Sequence, residues 1–102
     1  MDLDNNLKNV KLYDAYGVLL TDKQRRCLED YLINNLTLSE MSEIYQISRQ
    51  AVNFNLKESL KILQNYEDKL GFCKKYDILV SSLEELNLNE TDKNKILDIF
   101  KE

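Results

Sequence analysis

Leu36-Thr37-Leu38-Ser39-Glu40-Met41-Ser42-Glu43-Ile44-Tyr45-Gln46-Ile47-Ser48-Arg49-Gln50-Ala51-Val52-Asn53-Phe54-Asn55-Leu56 decides the fold. Thr37-Leu38-Ser39-Glu40 has the form of a capping box, in which the Thr hydroxyl accepts from the backbone three residues on and the Glu reaches back. Leu38, Met41, Ile44 and Tyr45 then recur at helical steps and predict the inner side of a short helix. Gln46-Ile47 reads as a turn, and Ser48 as the N-cap of the next helix. Met41 and Tyr45 face that helix, Ile47 plugs the corner, and Val52 and Leu56 close the packing. Two helices held this way across a turn of about four residues form a helix-turn-helix, at about residues 37–57. Ser42 supplies a small residue where the helices approach. Gln46 stands where glycine more often provides the left-handed turn.

Outward from this segment the pattern stays helical. The helix opened by Ser48 meets no breaker until Gly71, some 22 residues on, and Gly71 suits a C-cap. Its stripe reads Val52, Leu56, Leu60, Leu63, then Tyr66 or Glu67, and Leu70. Upstream, Thr21-Asp22-Lys23-Gln24 is a second capping box. It opens a helix to about Ile33 that buries Cys27, Leu28, Tyr31 and Leu32, and Asn34-Asn35 ends it. A first helix is expected over residues 5–18, with Leu7, Val10, Tyr13 and Gly17 as its stripe. Downstream, Phe72, Tyr76, Ile78, Leu79 and Leu83 predict a fifth helix. Residues 84–91 read as a linker with Asn89 as N-cap, and Ile96, Leu97, Ile99 and Phe100 mark a last helix. Pro is absent and Gly occurs 2 times, too few for the turns of a sandwich or barrel. The expected class is all-α: one helical domain over residues 1–102, with a helix-turn-helix core, a long recognition helix and additional C-terminal helices.

Composition narrows the function. The chain is 43% hydrophobic and 31% charged, the balance of a folded protein. No apolar run approaches the roughly 20 residues of a membrane span. Met1-Asp2-Leu3-Asp4-Asn5-Asn6 is the reverse of a secretory signal. Cys27 and Cys73 lack metal-ligand spacing and read as buried free thiols of a reducing cytosol, so a cytoplasmic location is expected. With 0 His, the usual general base near neutral pH is missing. Glu67-Asp68 and Glu84-Glu85 are neighbours that point about 100° apart on a helix. Neither catalytic residues, nor a metal site, nor a cofactor is expected.

A helix-turn-helix points toward nucleic acid, and the first turns of its second helix carry Arg49, Gln50, Asn53 and Phe54, with Lys57 and Lys61 beyond. Arg and Gln suit bidentate contacts with base edges. Lys23, Arg25 and Arg26 form a second basic cluster that could clamp a phosphate or an acidic partner surface. Against this stands the net charge of −4. Residues 21–61 are neutral, six basic against six acidic, and residues 62–102 carry six Lys against nine acids. That segment repels a polyanion. Leu56, Leu60, Leu63 and Leu70 step by four and three residues, which is also the spacing of a homodimer seam.

Tyr13-Asp14-Ala15-Tyr16-Gly17-Val18-Leu19-Leu20-Thr21-Asp22-Lys23-Gln24-Arg25, Leu38-Ser39-Glu40, Ile47-Ser48-Arg49-Gln50-Ala51-Val52 and Tyr66-Glu67-Asp68-Lys69-Leu70-Gly71 together resemble the YlxM family of small bacterial proteins. The resemblance covers about residues 7–72. It implies a helix-turn-helix similar to the promoter-recognising fourth region of sigma factors, and an accessory or regulatory role in the signal recognition particle pathway. The implied partners are the particle's RNA or its GTPase subunit. No catalytic residues transfer, while Arg49, Gln50 and Asn53 match the positions that would touch nucleic acid. Ser42 and Gln46 depart from the sigma-like pattern. Three readings stay open: an accessory protein of the particle, a sequence-specific DNA-binding regulator acting as a dimer, and an interaction module using the long helix.

Overall fold

The computed structural model describes residues 6–100, so the acidic N-terminus and the expected helix start at residue 5 lie outside the described residues. Among the described residues there are six α-helices and no strand: α1 (Asn6–Tyr16), α2 (Asp22–Leu32), α3 (Leu38–Tyr45), α4 (Arg49–Leu70), α5 (Phe72–Glu85) and α6 (Glu90–Leu97). Short 3-10 turns follow α1 at Gly17–Leu19 and α6 at Asp98–Phe100. The class is all-α. None of the described helices is long and apolar enough to cross a membrane.

The helix ends are set locally. Thr21 accepts from the Gln24 amide while the Gln24 side chain accepts from the Thr21 amide, and Thr37 and Glu40 repeat the exchange. Asn89 Oδ1 accepts from the Asp92 amide and opens α6. Gly71, at φ 63°, ends α4 in the left-handed region that favours glycine. Asn35 takes φ 57° after α2.

The chain divides into two compact units, one running to Gly71 and one from Phe72 onward. In the first, α4 packs against α1, α2 and α3. Leu28, Met41, Val52, Leu56, Leu60 and Leu63 are fully buried, with Leu12, Tyr16, Leu20, Cys27 and Leu32 around them. Each such side chain contributes about 1.5–3 kcal/mol through burial. In the second unit Phe72, Tyr76 and Phe100 form an aromatic cluster with ring centroids 6.2–6.4 Å apart. Lys93 pairs with Glu90 at 3.3 Å.

Cys73, expected to be buried like Cys27, is half-buried, and four further expectations change. The buried face of α1 is Asn9, Leu12 and Tyr16, whereas Leu7 is 71% exposed. Tyr16 donates to Glu67 Oε1 at 2.6 Å and stacks on Tyr66, which turns that face toward α4. The expected pair Tyr13 and Gly17 does meet: a Cβ on Gly17 would lie 3.1 Å from the Tyr13 ring. Ile44, expected inside, is 53% exposed, and Met41 is the buried residue of α3. The expected linker is shorter, because α5 runs to Glu85 and ends near Asn87 at φ 55°.

The fourth change concerns the dimer seam. Leu56, Leu60 and Leu63 are 0% exposed within the single chain. Their surface is consumed by the intrachain core and none is left for a partner. Leu70, at 54% exposed, is the seam residue that remains on the surface.

Candidate nucleic-acid interface

The corner between α3 and α4 is held by three side chains. Gln46 adopts φ 59° and ψ 42°, the left-handed conformation that glycine reaches more easily, and its Nε2 donates to the Glu43 carbonyl at 2.9 Å. Ser42 Oγ donates to the Ile47 carbonyl at 2.5 Å, and the Ile47 amide donates to the Ser42 carbonyl at 3.2 Å. Ser48 Oγ accepts from the Ala51 amide at 3.0 Å and starts α4. The two departures from the sigma-like pattern are therefore working parts of the corner: Ser42 is its clasp as well as its small residue.

The corner fixes which face of α4 points outward. Val52, Leu56, Leu60 and Leu63 are fully buried, which leaves the opposite side of α4 to solvent, while Arg49 is exposed in the first turn of the helix. Arg49, Gln50, Lys57 and Lys61 are exposed, Asn53 is half-buried, and Phe54 is 63% exposed. Arg49, Asn53 and Lys57 follow one another at four-residue steps, with Gln50 and Lys61 beside them. Of the predicted contact residues of this helix, Arg49, Gln50, Lys57 and Lys61 are exposed, and Asn53 lies half-buried beside the core-facing side.

The second basic cluster is largely engaged. Arg25 pairs with Asp22 at 3.1 Å. Arg26 lies over the Tyr45 ring, 5.5 Å from its centroid, with its Nε 3.9 Å from Asp30 Oδ2. The Tyr45 hydroxyl donates to that same carboxylate oxygen. Burial first, and the bond to Asp30 second, raise the Tyr45 pKa above its usual 10.0. Arg26, Asp30 and Tyr45 accordingly tie α2 to α3, a structural duty that sequence spacing does not reveal. Lys23 remains exposed at the start of α2.

Beside the outward face of α4 lies a groove of about 800 Å3 between α2, α3 and α4. Ile44, Ile47 and Ala51 form apolar wall, Asn55, Glu58 and Ser59 line it from α4, and Lys23 and Arg26 line it from α2. Burial pushes the Cys27 thiol, which also lines it, up to about 11, with Asp30 adding to the rise. Sequence reading missed this groove because its lining comes from three helices far apart along the chain.

Residues 3–102 match the UPF0122 family, described as helix-turn-helix proteins, YlxM / p13 like. A UPF0122 protein of Oceanobacillus iheyensis is 42% identical over 92 residues, covering 90% of this chain and 88% of the relative. One from Caldanaerobacter subterraneus is 46% identical over 83 residues, 81% of this chain and 71% of that protein. A UPF0122 protein of Lactococcus lactis is 38% identical over 86 residues, 84% and 78% of the two chains.

Proposed function

The chain belongs to the UPF0122 family of YlxM/p13-like helix-turn-helix proteins, and from that premise we propose that it is a non-enzymatic accessory or regulatory protein that binds a structured RNA of the signal recognition particle pathway. The observation that carries the reading is the exposure of Arg49, Gln50 and Lys57 in the first turns of α4, with Asn53 half-buried beside them, on a helix whose Val52 and Leu56 are locked in the core. That packing fixes the backbone beneath the face, so the face is ordered before it meets a ligand.

Charge favours a compact target over a long duplex. The contact face is modest, Arg25 and Arg26 have carboxylate partners, and the net charge is −4. Phosphate neutralisation along extended DNA would need a larger basic surplus. A structured RNA instead offers unstacked bases to a few well-placed side chains. The YlxM likeness supplies the particle's RNA as the first target to test. A dimeric DNA-binding regulator needs two recognition helices about 34 Å apart, and the leucine seam that would have joined two copies is buried.

The test is a salt titration of binding, by fluorescence anisotropy, to the organism's own signal recognition particle RNA and to a DNA duplex of equal length. Preferential, salt-sensitive binding to the RNA is expected. Changing Arg49→Ala together with Gln50→Ala should weaken it by about 1–3 kcal/mol for each bidentate pair that the change removes. Equal binding of both nucleic acids would sink the RNA preference. No binding to either would redirect the search to the particle's GTPase.

A further inference from the structure

We propose that the groove between α2, α3 and α4 receives one unpaired guanine, flipped from an RNA lying against α4; this rests on the RNA-binding reading above. The floor gives the first indication. Ser59 is 1% exposed, lines the groove, and its hydroxyl has no hydrogen-bond partner among the described residues. A buried hydroxyl without a partner costs folding free energy that alanine at the same place would not. A ligand that bonds this hydroxyl gives it a use.

The walls match a base better than a phosphate or a purely apolar ligand. Ile44, Ile47 and Ala51 offer apolar surface against a ring face, while Asn55 and Glu58 offer hydrogen-bonding groups to its edge above Ser59 at the floor. Glu58 is the discriminating member. A carboxylate repels phosphate but accepts from an exocyclic amine, as acidic side chains do from cytosine N4. Lys23 at the opposite wall sits where a flanking phosphate would pass, with Asp22 beside it and Arg26 held by Asp30 and Tyr45. The Cys27 thiol stays protonated at neutral pH and adds no negative charge.

Position links groove and contact face. On α4, Ala51, Asn55 and Glu58 lie about 100° around the helix from Gln50, Phe54 and Lys57, so an RNA must turn around α4 to reach both. Phe54, 63% exposed, stands between the two and offers a stacking surface to the neighbouring base.

Three fluorescein-labelled hairpin RNAs test this on the full chain: one fully paired, one with a single bulged guanine and one with a single bulged uracil. The bulged-guanine hairpin should bind at least about tenfold tighter than the other two, as one good bidentate pair provides. Glu58→Ala should erase the guanine-over-uracil preference. Ser59→Ala should keep the helical circular-dichroism spectrum and thermal midpoint yet lose most of the bulge preference. A bulged 2-aminopurine should change fluorescence on binding, and that change should shrink in both variants. Equal affinity for all three hairpins, still weakened by Arg49→Ala, would overturn the base pocket and spare the RNA reading. No binding to any hairpin would overturn both.

Discussion

Gln46 shows how a single residue can carry a strained turn without glycine. Its left-handed backbone is unfavourable for a residue with a Cβ, by roughly 1–2 kcal/mol, and the side-chain bond to the Glu43 carbonyl offsets part of that. Gln46→Gly is therefore expected to be neutral or to stabilise by up to about 1 kcal/mol in urea unfolding, whereas Gln46→Val should destabilise by more than about 1 kcal/mol. A marked loss on Gln46→Gly would mean that the side-chain bond matters more than the backbone. Cys27 and Tyr45 give the pH dependence. Both are acids whose pKa is raised in the folded chain, Cys27 from 9.0 to about 11 and Tyr45 upward from 10.0. The folded state thus holds protons that the unfolded chain releases. Their contribution is complete below about pH 9 and is lost as pH rises through the folded values. The thermal midpoint should be flat from about pH 7 to 9 and fall beyond it, with Cys27 accounting for about 2 kcal/mol by pH 11. Cys27→Ala should make that fall shallower, and an unchanged slope would remove Cys27 from the account.

At the scale of elements, α4 does two jobs on opposite faces. Val52, Leu56, Leu60 and Leu63 anchor it among α1, α2 and α3, and this anchoring aims Arg49 and its neighbours outward. Leu60→Ala should cost about 2–5 kcal/mol in chemical unfolding because it opens a cavity in a core that cannot fully collapse. Leu63→Lys should unfold the first unit, since it buries a charge; a folded variant with altered mass in solution would instead revive the seam. Thr37→Ala, which removes the hydroxyl that accepts from the Glu40 amide in the α3 capping box, should cost about 1 kcal/mol. Helix existence and caps were legible in the residues because Thr21, Thr37, Ser48, Gly71 and Asn89 act within three or four positions. The buried face of α1 was not. Asn9-Leu12-Tyr16 and Leu7-Val10-Tyr13 are both helical stripes, and the choice between them was made by Glu67 and Tyr66, far along the chain.

Across the whole molecule charge is distributed unevenly, with neutral residues 21–61 carrying the contact face and the acidic surplus lying beyond residue 62. A face with about four available cations implies a shallow salt dependence for RNA, a slope of log affinity on log salt no steeper than about −3. A slope of about −4 to −5 would show that Arg25 and Arg26 of α2 leave their carboxylates on binding and join the contact. The sequence by itself determined the all-α class, the helix-turn-helix at residues 37–57 and the exposure of Arg49, Gln50, Lys57 and Lys61 on α4. Those follow from local periodicity and from caps, whose physics spans one helical turn. Tertiary structure alone decided that Leu56, Leu60 and Leu63 serve the chain's own core, that Arg26 clasps Tyr45 and Asp30, and that Ser59 ends without a partner among the described residues, beside a groove. Each depends on which distant helix arrives opposite a given face. A stripe of leucines records that a surface must be buried, but it does not say against what.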